Sequence, residues 1–356
     1  MDLAIKRVVI LHDEIHENDP LDQQDSIVQV QAIELALQEM GYQVKRVAFG
    51  IDTTSVLEQF RDWQTDFVIN LVESVAGDGR FIHWAPLWLE HLQIPFSGCS
   101  SSAIYTSSNK ILAKEMMRAY GIPTPDWLNI DRTSNPTSFI PGRYIIKAVW
   151  EHASVGLDED SVVVADQVEW LEQVLRSRLQ LSGKPFFAEH YIDGREFNIS
   201  ILNGQVLPIP EIMFLDYPEN KPRVVGYRAK WQEESFEYQH TQRRFHTLDG
   251  HQTLAHQLAW VCEDLWRRFS LKGYARVDVR VDPQGNPYVI DINANPCIAP
   301  DSGFVAAAME IGISFSELLH SLIQGSLETQ VTPIDWSLKT DADWLELVSD
   351  DSVMNL

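Results

Sequence analysis

Two apolar segments near residue 280 carry charged or polar residues at alternate positions. The segment YARVDV contains Arg276 and Asp278, and the segment VIDIN contains Asp291 and Asn293. The turn at Pro283–Gly285 between them is typical of a β-hairpin. Because alternate side chains of a strand share one face and paired strands lie about 5 Å apart, the four polar groups are predicted to converge on one point.

This set of side chains suits a metal-assisted phosphoryl transfer. Carboxylate and amide oxygens, as in Asp278, Asp291 and Asn293, are the ligands that Mg²⁺ prefers, together with substrate phosphates. Arg276 would offset charge on a transferring phosphoryl group. The alternative is a solvated hairpin face with cross-strand ion pairs. Two anions with one nearby cation would repel each other there, so the pattern favours a metal site.

Three lysines upstream occupy positions that a phosphate tail would need. Lys110 follows Asn109 at the start of a predicted helix, where amide donors and the helix dipole attract anions. Lys147 lies inside the apolar strand YIIKA, where an unpaired lysine is uncommon. Lys230 lies in YRAKW, within an irregular segment. Each alone is more often a surface lysine, but their occurrence together with the hairpin favours phosphate binding.

Two further motifs could complete a nucleotide site. HASVG, with Ser154 and Gly156, is typical of a flexible loop that approaches phosphate oxygens, although many hairpin turns share this pattern. Glu189 ends an apolar strand, and the DGRE turn after it contains Glu196. One acid could accept from an adenine amino group and the other could hold ribose hydroxyls. An exposed turn with charge pairs explains these two acids equally well.

The first hundred residues alternate between predicted strands and helices. This order predicts a parallel sheet that is covered on both faces. The predicted elements are the strands Arg7–Leu11, Gln43–Phe49 and Asp66–Val72 and the helices Ile27–Met40 and Trp84–Leu92.

Beyond the helix predicted at Asn109–Tyr120, short strands dominate, and Met213–Gly250 has no clean period. Such a long irregular segment is usually a functional lid or poorly ordered. The further predicted strands are Tyr144–Val149, Ser161–Val164, Phe186–His190, Phe197–Leu202, Val206–Ile209, Tyr274–Val281 and Pro287–Ile292. The further predicted helices are Val168–Leu181, Thr253–Phe269, Phe304–Ile311 and Phe315–Ile323.

The bulk properties exclude several classes of protein. The 356 residues carry a net charge of −23, which argues against nucleic-acid binding because phosphate contacts need a basic face. No apolar run approaches a membrane span, and the N-terminal residues do not read as a signal peptide. The three cysteines have no metal-ligand spacing and suggest no disulfide framework. A cytoplasmic setting is therefore expected.

Taken in chain order, these motifs resemble the D-alanine–D-alanine ligase branch of the ATP-grasp superfamily. The resemblance rests on SSNK at 107–110, GIPTPDW at 121–127, IIKA with ASVG, AEHYIDGREF at 188–197, YRAKW, and GYARVDV with DINANP. It covers residues 5–323. It implies an α/β fold that is α+β in its C-terminal part: a parallel-sheet preATP-grasp domain (1–105) and two α+β ATP-binding subdomains (106–185 and 186–325). The remaining residues, 326–356, are acidic and weakly patterned and are predicted to form a C-terminal extension.

The resemblance also implies roles for individual residues. ATP and two Mg²⁺ ions, with Mn²⁺ as an alternative, are the expected cofactors. Small amino-acid or carboxylate substrates and a homodimer are expected, with no nucleic acid and no membrane. The implied roles are phosphate binding by Lys110, Lys147 and Lys230 beneath a loop with Ser154 and Gly156, adenine binding by Glu189, Tyr191 and Ile192, ribose binding by Glu196, metal binding by Asp278, Asp291 and Asn293, catalysis by Arg276 and Lys230, and binding of the acceptor carboxylate by Ser302.

The amino-acid pocket departs from the family pattern. The family's glycine-rich first loop with its glutamate is replaced by LHDEIHENDP, and the serine and tyrosine partners of that glutamate correspond to Ala153 and Trp231. The HG motif is replaced by VES at 72–74, and a glycine at the oxyanion position by Cys297. Each lost polar partner would cost on the order of 1–3 kcal/mol. These coordinated losses favour a changed substrate.

The predicted function is therefore an ADP-forming carboxylate–amine ligase that acts through an acyl-phosphate on a substrate other than D-alanine alone. A D-alanine–D-alanine ligase with a rebuilt pocket is the closest alternative. A catalytically inactive nucleotide-binding partner module would not need the charge geometry of the hairpin. A carboxylase-type component would need a biotin or bicarbonate partner, and the sequence has no evident biotin-carrier segment.

Overall fold

The computed structural model describes residues 5–14, 21–130, 139–150 and 156–327. The strands are β1 (Arg7–Asp13), β2 (Gln43–Phe49), β3 (Phe67–Asn70), β4 (Trp127–Asn129), β5 (Gly142–Ala148), β6 (Val162–Ala165), β7 (Phe186–His190), β8 (Arg195–Leu202), β9 (Gln205–Val206), β10 (Glu211–Phe214), β11 (Thr241–Arg244), β12 (Tyr274–Val281) and β13 (Pro287–Asn293). The helices are α1 (Leu21–Glu39), α2 (Thr53–Trp63), α3 (Trp84–His91), α4 (Ser101–Ser108), α5 (Lys110–Ala119), α6 (Val168–Ser182), α7 (Tyr227–Trp231), α8 (Phe236–His240), α9 (Gln252–Arg268), α10 (Gly303–Met309) and α11 (Phe315–Leu327).

The first sheet is parallel, in the order β2-β1-β3, which confirms the expectation for the N-terminal region. Successive side chains of its central strand enter different hydrophobic cores. Val8 and Ile10 pack towards α1 and α11, whereas Val9 and Leu11 pack towards α2 and α3. A strand covered on both faces must be apolar throughout, which is why β1 reads as a continuous apolar run.

Two antiparallel sheets follow. One has the order β4-β7-β5-β6 and is covered by α6, whose Leu171 and Leu175 pack on Tyr144 and Ile146. The other has the order β11-β10-β8-β12-β13, with β9 paired to β8. Its apolar face is covered by α9, because the helix repeat places residues such as Leu258 and Leu265 on one side. The expected α+β texture of the C-terminal part is confirmed.

Several predicted elements differ from the structure. The predicted strand at Val206–Ile209 is limited to the two residues of β9, and α2, α4 and β4 were not predicted. The segment 213–250, predicted as irregular, contains the second half of β10, the short helices α7 and α8, and β11, which pairs with β10. A five-residue helix completes little more than one turn, so it leaves no periodic signal. The predicted extension from 326 lies almost wholly outside the described residues.

The arrangement of the sheets brings distant parts of the chain to one place. The predicted boundary between residues 185 and 186 separates β7 from β4, β5 and β6, although these four strands form one sheet. Asn109 ends α4 and begins α5, and its side chain accepts from the amide of Leu112 at 3.1 Å. This cap fixes Lys110 at the first position of α5, where it faces the hairpin formed by β12 and β13.

Candidate active site

The β12–β13 hairpin holds four polar side chains in the predicted register. Arg276 lies opposite Asn293, and Asp278 lies opposite Asp291. The guanidinium of Arg276 donates from Nε and Nη2 to the two carboxylate oxygens of Asp278, at 2.8 and 3.0 Å. Burial alone would lower the pKa of Arg276, but the neighbouring carboxylates raise it above its ordinary value. The predicted convergence of these four side chains is confirmed.

Lys110 connects α5 to this hairpin. Its Nζ lies 2.7 Å from each carboxylate oxygen of Asp291, and only 9% of the residue is exposed. Its backbone amide donates to the carbonyl of Val149 at 3.1 Å, which ties the start of α5 to the end of β5. The ammonium group is therefore held at the hairpin and is not a surface lysine.

Lys147 belongs to a buried cluster that contains a lysine missed by the sequence analysis. The Nζ of Lys147 lies 2.8 Å from Oε1 of Glu189, and the Nζ of Lys114 lies 2.6 Å from Oε2 of the same carboxylate. Lys114 also donates to Thr124 Oγ1 at 2.7 Å and to the Pro125 carbonyl at 3.0 Å. The only signal for Lys114 is its position four residues after Lys110 on the same face of the helix.

The charges of this cluster compensate each other. Burial lowers the pKa of Lys114 to about 8, and the attraction of Glu189 opposes that shift. Burial would raise the pKa of Glu189, but Lys114 and Lys147 outweigh it and lower the pKa. Glu189 is therefore a carboxylate held by two lysines. Each of its oxygens keeps a second lone pair, so the pairing is compatible with the predicted contact to an adenine amino group.

Lys230 approaches the same place from α7. Burial lowers its pKa to about 8, and the positive charge of Arg276 adds to this effect. The carboxylates of Asp278, Asp291 and Glu196 act in the opposite direction. The charged groups of the hairpin therefore act on Lys230, although this lysine lies in a distant and irregular part of the sequence.

The predicted ribose ligand Glu196 also has a cation that the sequence analysis missed. Arg280 donates to Glu196 Oε2 from Nε at 2.9 Å and from Nη2 at 2.5 Å. It also donates to the backbone carbonyl of Ile192 at 3.1 Å and to the hydroxyl of Tyr191 at 3.4 Å. The alternation of YARVDVRV places Arg280 on the same face as Asp278, and that spacing is the signal that could have found it.

One cavity collects most of the predicted site residues. Ser302 is not among the residues that line it; its hydroxyl accepts from the amide of Val305 at 3.3 Å and caps α10. Ser154 lies outside the described residues. The predicted residues that line the cavity are Lys110, Lys147, Gly156, Glu189, Tyr191, Ile192, Glu196, Lys230, Arg276, Asp278, Asp291 and Asn293.

The donor set of the hairpin fits Mg²⁺ in its chemistry. Among the described residues no three His, Cys, Asp or Glu side chains form a metal cluster. The predicted set is different, since it combines the carboxylates of Asp278 and Asp291 with the amide oxygen of Asn293, all at the cavity wall. Mg²⁺ commonly takes one or two carboxylates and completes its shell with water and substrate phosphates.

Beyond the hairpin, Asp13 and Asn295 each bond to one backbone group and one side chain. Asp13 at the end of β1 accepts from the amide of Glu73 at 2.7 Å and from the hydroxyl of Ser74 at 2.6 Å. Asn295 donates to the carbonyl of Val72 at 3.0 Å and accepts from the hydroxyl of Tyr274 at 2.8 Å. These bonds fasten the loop after β3 to both β1 and the end of the hairpin.

Comparison with known proteins decides the family. Residues 116–324, more than half of the chain, match the family model described as D-ala D-ala ligase C-terminus. The chain belongs to the D-alanine–D-alanine ligase family. The D-alanine–D-alanine ligase of Synechococcus sp. (strain JA-3-3Ab) is 30% identical over 320 residues, which cover 86% of this chain and 90% of that protein. This family is of the ATP-grasp type, and the sequence motifs point to the same family.

Other relatives extend this result. An uncharacterized protein, y4sG of Sinorhizobium fredii, is 27% identical over 297 residues, covering 81% of this chain and 84% of that one. The D-alanine–D-alanine ligase of Bacillus anthracis complexed with ATP has a TM-score of 0.68 at 22% identity, covering 91% of this chain and 98% of that chain. This likeness shows the fold. Among the described residues, no helix is long and apolar enough to cross a membrane.

Proposed function

We propose that this member of the ligase family is an ADP-forming carboxylate–amine ligase. In this reaction the γ-phosphoryl group of ATP passes to a substrate carboxylate, an amine attacks the acyl-phosphate carbon, and phosphate leaves as the amide forms. The observation that carries the proposal is the single cavity that unites Arg276 and the hairpin oxygens with lysines from α5, β5 and α7. The family match and the ATP complex of the Bacillus anthracis relative support it.

The charged residues have distinct tasks in this proposal. Lys110 and Lys147, each already paired to a carboxylate, would hold the phosphate tail in line with the acceptor oxygen. Asp278, Asp291 and Asn293 would hold Mg²⁺, which when bound neutralises charge on the phosphates. Arg276 is fixed by its two bonds to Asp278, so it is preorganised to stabilise negative charge on the transferring group.

Lys230 would act from the segment that contains α7, which we call the lid. Its lowered pKa leaves a substantial neutral fraction near pH 8, and a phosphate anion beside it would restore the charged form. The helix α7 that carries it begins directly after Gly226, at which an added Cβ would lie 2.5 Å from the carbonyl oxygen of Leu157. The lid is therefore in tight contact with the segment after the glycine loop, which would exclude water from an acyl-phosphate.

We propose a substrate other than D-alanine alone. The sequence lacks the glutamate, serine and tyrosine set that the family uses for the first D-alanine ammonium. Asp13, the last residue of β1, engages both carboxylate oxygens with the loop after β3 and so positions that loop. A sulfur side chain, Cys297, stands at the predicted oxyanion position. These changes alter the amino-acid end while the phosphate end is kept.

D-alanine ligation with a rebuilt pocket is the second candidate. The Synechococcus relative named as a D-alanine–D-alanine ligase aligns over most of both chains, and that match favours it. The two candidates share the acyl-phosphate step and differ only in the amino-acid pair.

Phosphate release from ATP and Mg²⁺ across a panel of amino acids and small carboxylates tests both candidates. We expect amine-dependent release with at least one carboxylate–amine pair and poor release with D-alanine alone. Efficient turnover of D-alanine alone would reject the changed substrate and leave the ligase reaction intact. Absence of amine-dependent release with every pair, despite ATP binding, would reject the ligase function.

A further inference from the structure

Arg280 makes more connections than an ordinary ion pair requires. The residue is 4% exposed and lies on β12, two residues beyond Asp278. Its guanidinium donates to the carboxylate of Glu196 on β8, to the carbonyl of Ile192 after β7 and to the carbonyl of Arg223 before α7. These three partners belong to three different segments around the cavity. The guanidinium of Arg280 therefore connects the strands that line the cavity to the segment that leads into α7.

Both backbone polar groups of Arg223 are hydrogen-bonded. Its amide donates to the hydroxyl of Tyr191 at 3.0 Å, and that hydroxyl lies 3.1 Å from the Arg223 carbonyl, the group that also accepts from Arg280. Arg223 lies seven residues before Lys230, and Val224 and Val225 beside it line the cavity. The chain that leads into the lid helix is thus fastened to the nucleotide end of the cavity.

Arg280 also orients the predicted ribose ligand. Both of its bonds to Glu196 go to Oε2, and Oε1 carries no hydrogen bond to a described residue. Glu196 is 5% exposed and lines the cavity, so its charge would be costly without a partner. The guanidinium compensates the charge of Glu196 and leaves Oε1 as an acceptor for a vicinal diol.

We propose that Arg280 is a positioning residue that couples the ribose end of the nucleotide site to the lid carrying Lys230. It fixes Glu196 for the ribose hydroxyls and, with the hydroxyl of Tyr191, holds the Arg223 peptide so that the lid closes over the phosphates. The inference rests on the proposed function in one respect, since it takes the cavity as an ATP site. It makes no assumption about the acyl or amine substrate.

The test separates ribose binding from lid closure with two variants and one control. Arg280→Met removes every bond of the guanidinium, whereas Tyr191→Phe removes only the hydroxyl that holds Arg223. Arg195→Met is the matched control, because Arg195 also pairs with a glutamate, Glu211, at 2.6 Å but does not line the cavity. The readouts are the Kd of a non-hydrolysable ATP analogue with Mg²⁺ and tryptic cleavage after Arg223 and Arg228, with and without the analogue.

We expect the analogue to protect the wild-type segment from trypsin. Arg280→Met should weaken analogue binding about tenfold and abolish the protection, because a charge-assisted bond of this kind contributes roughly one decade of affinity. Tyr191→Phe should lose most of the protection with a smaller change in Kd. Arg195→Met should behave as wild type in both readouts.

Wild-type Kd and protection in Arg280→Met would overturn the proposal, because the ion pair would then serve stability alone. If Arg280→Met does not fold, full protection in Tyr191→Phe would overturn the coupling, and lost protection would support it. These readouts need no turnover. A wild-type protein that binds and is protected but never releases phosphate would count against the ligase function and not against the coupling.

Discussion

The two ends of the site use their polar side chains differently. At the phosphate end, charged side chains pair with one another: Lys110 with Asp291, Arg276 with Asp278, and Lys147 with Glu189. At the predicted amino-acid end, Asp13, Asn295 and Ser302 each bond to a backbone amide or carbonyl. Paired charges can exchange a partner for a ligand phosphate or metal, whereas side chains that hold backbone cannot leave without moving the loop. On the proposed function, the phosphate end would carry the reaction and the amino-acid end would set the shape of the pocket.

The phosphate end matches the family motif by motif, and the amino-acid end does not. The proposed reaction would need the charges of the hairpin and the lysines at the positions that the family motifs give them. The proposed change of substrate would involve the loops after β1 and β3 and the region of Cys297. Variants at both ends of the site, each with a matched control, test this contrast.

Asp291→Ala should have the largest effect. Removal of a metal ligand and of the partner of Lys110 should lower amine-dependent phosphate release at least ~10³-fold while the protein stays folded. Steady-state phosphate release and thermal unfolding measure the two outcomes. Asp249→Ala is the control, since that carboxylate is 80% exposed and lies away from the cavity. Unchanged activity of Asp291→Ala would refute the metal assignment.

Lys114→Met should destabilise the fold most. It would leave Glu189, which is 1% exposed, with one cation fewer, and a broken buried pair costs about 3–5 kcal/mol. Urea unfolding measures the loss. Arg118→Met is the matched control, because Arg118 lies on the same helix, stacks on the same Trp127 ring and pairs with Asp126 near the surface. Its cost should stay below about 1 kcal/mol; equal losses would contradict the buried cluster.

Ser302→Ala should separate the two ends of the site. The loss of the cap of α10 should cost about 1 kcal/mol of stability, and the KM of the acceptor amine should rise while the KM of ATP stays unchanged. Ser100→Ala is the control, because Ser100 caps α4 through the amide of Ala103 at the same 3.3 Å. It should lose similar stability without any effect on KM. A raised KM for ATP in Ser302→Ala would contradict this assignment, because Ser302 would then act at the nucleotide end of the site.

Asp13→Asn should show a small, pH-dependent difference. Burial raises the pKa of Asp13 in the fold, against the hydrogen bonds from Ser74 and Glu73. A raised folded pKa favours folding below the unfolded value and loses that contribution as the pH rises through the folded value. Wild type should therefore lose stability relative to Asp13→Asn as the pH rises above about 4, the ordinary pKa of an aspartate.

Asp66→Asn is the control of opposite sign for this experiment. Burial would raise the pKa of Asp66, but bonds from Arg7 and the amide of Lys6 outweigh it and lower the pKa. Its contribution is present above the unfolded value and is lost as the pH falls. Urea unfolding of the wild type and of each variant across pH measures how the difference in free energy of unfolding changes with pH. Changes of the same sign for Asp13→Asn and Asp66→Asn would contradict the burial of Asp13.

The sequence predicted the hairpin best. The alternation in β12 and the Pro283–Gly285 turn are local, so the strand bounds and the facing of Asp278 and Asp291 followed directly. Lys114 and Arg280 were missed for the opposite reason. Their partners lie 75 and 84 residues away in the chain, and no local pattern distinguishes a buried charge from a solvated one.

The missed elements have similar causes. The helix α4 reads SSAIYTSS, in which serines give neither an apolar stripe nor strong helix propensity, and its stability comes from packing and from the Ser100 cap. The lid elements are too short for a periodic signal. The amino-acid end could be predicted only as a departure, because loops are placed by side chain–backbone bonds such as those of Asp13.

The transfer of ¹⁸O from a labelled substrate carboxylate to released phosphate tests the central claim most directly. With the carboxylate–amine pair that gives the fastest release, the proposed acyl-phosphate requires one ¹⁸O atom in each phosphate formed. We expect that label in the wild-type reaction, and none above background with Asp291→Ala. Amine-dependent release of unlabelled phosphate by the wild type would contradict the account, because the γ-phosphoryl group would then have passed to water.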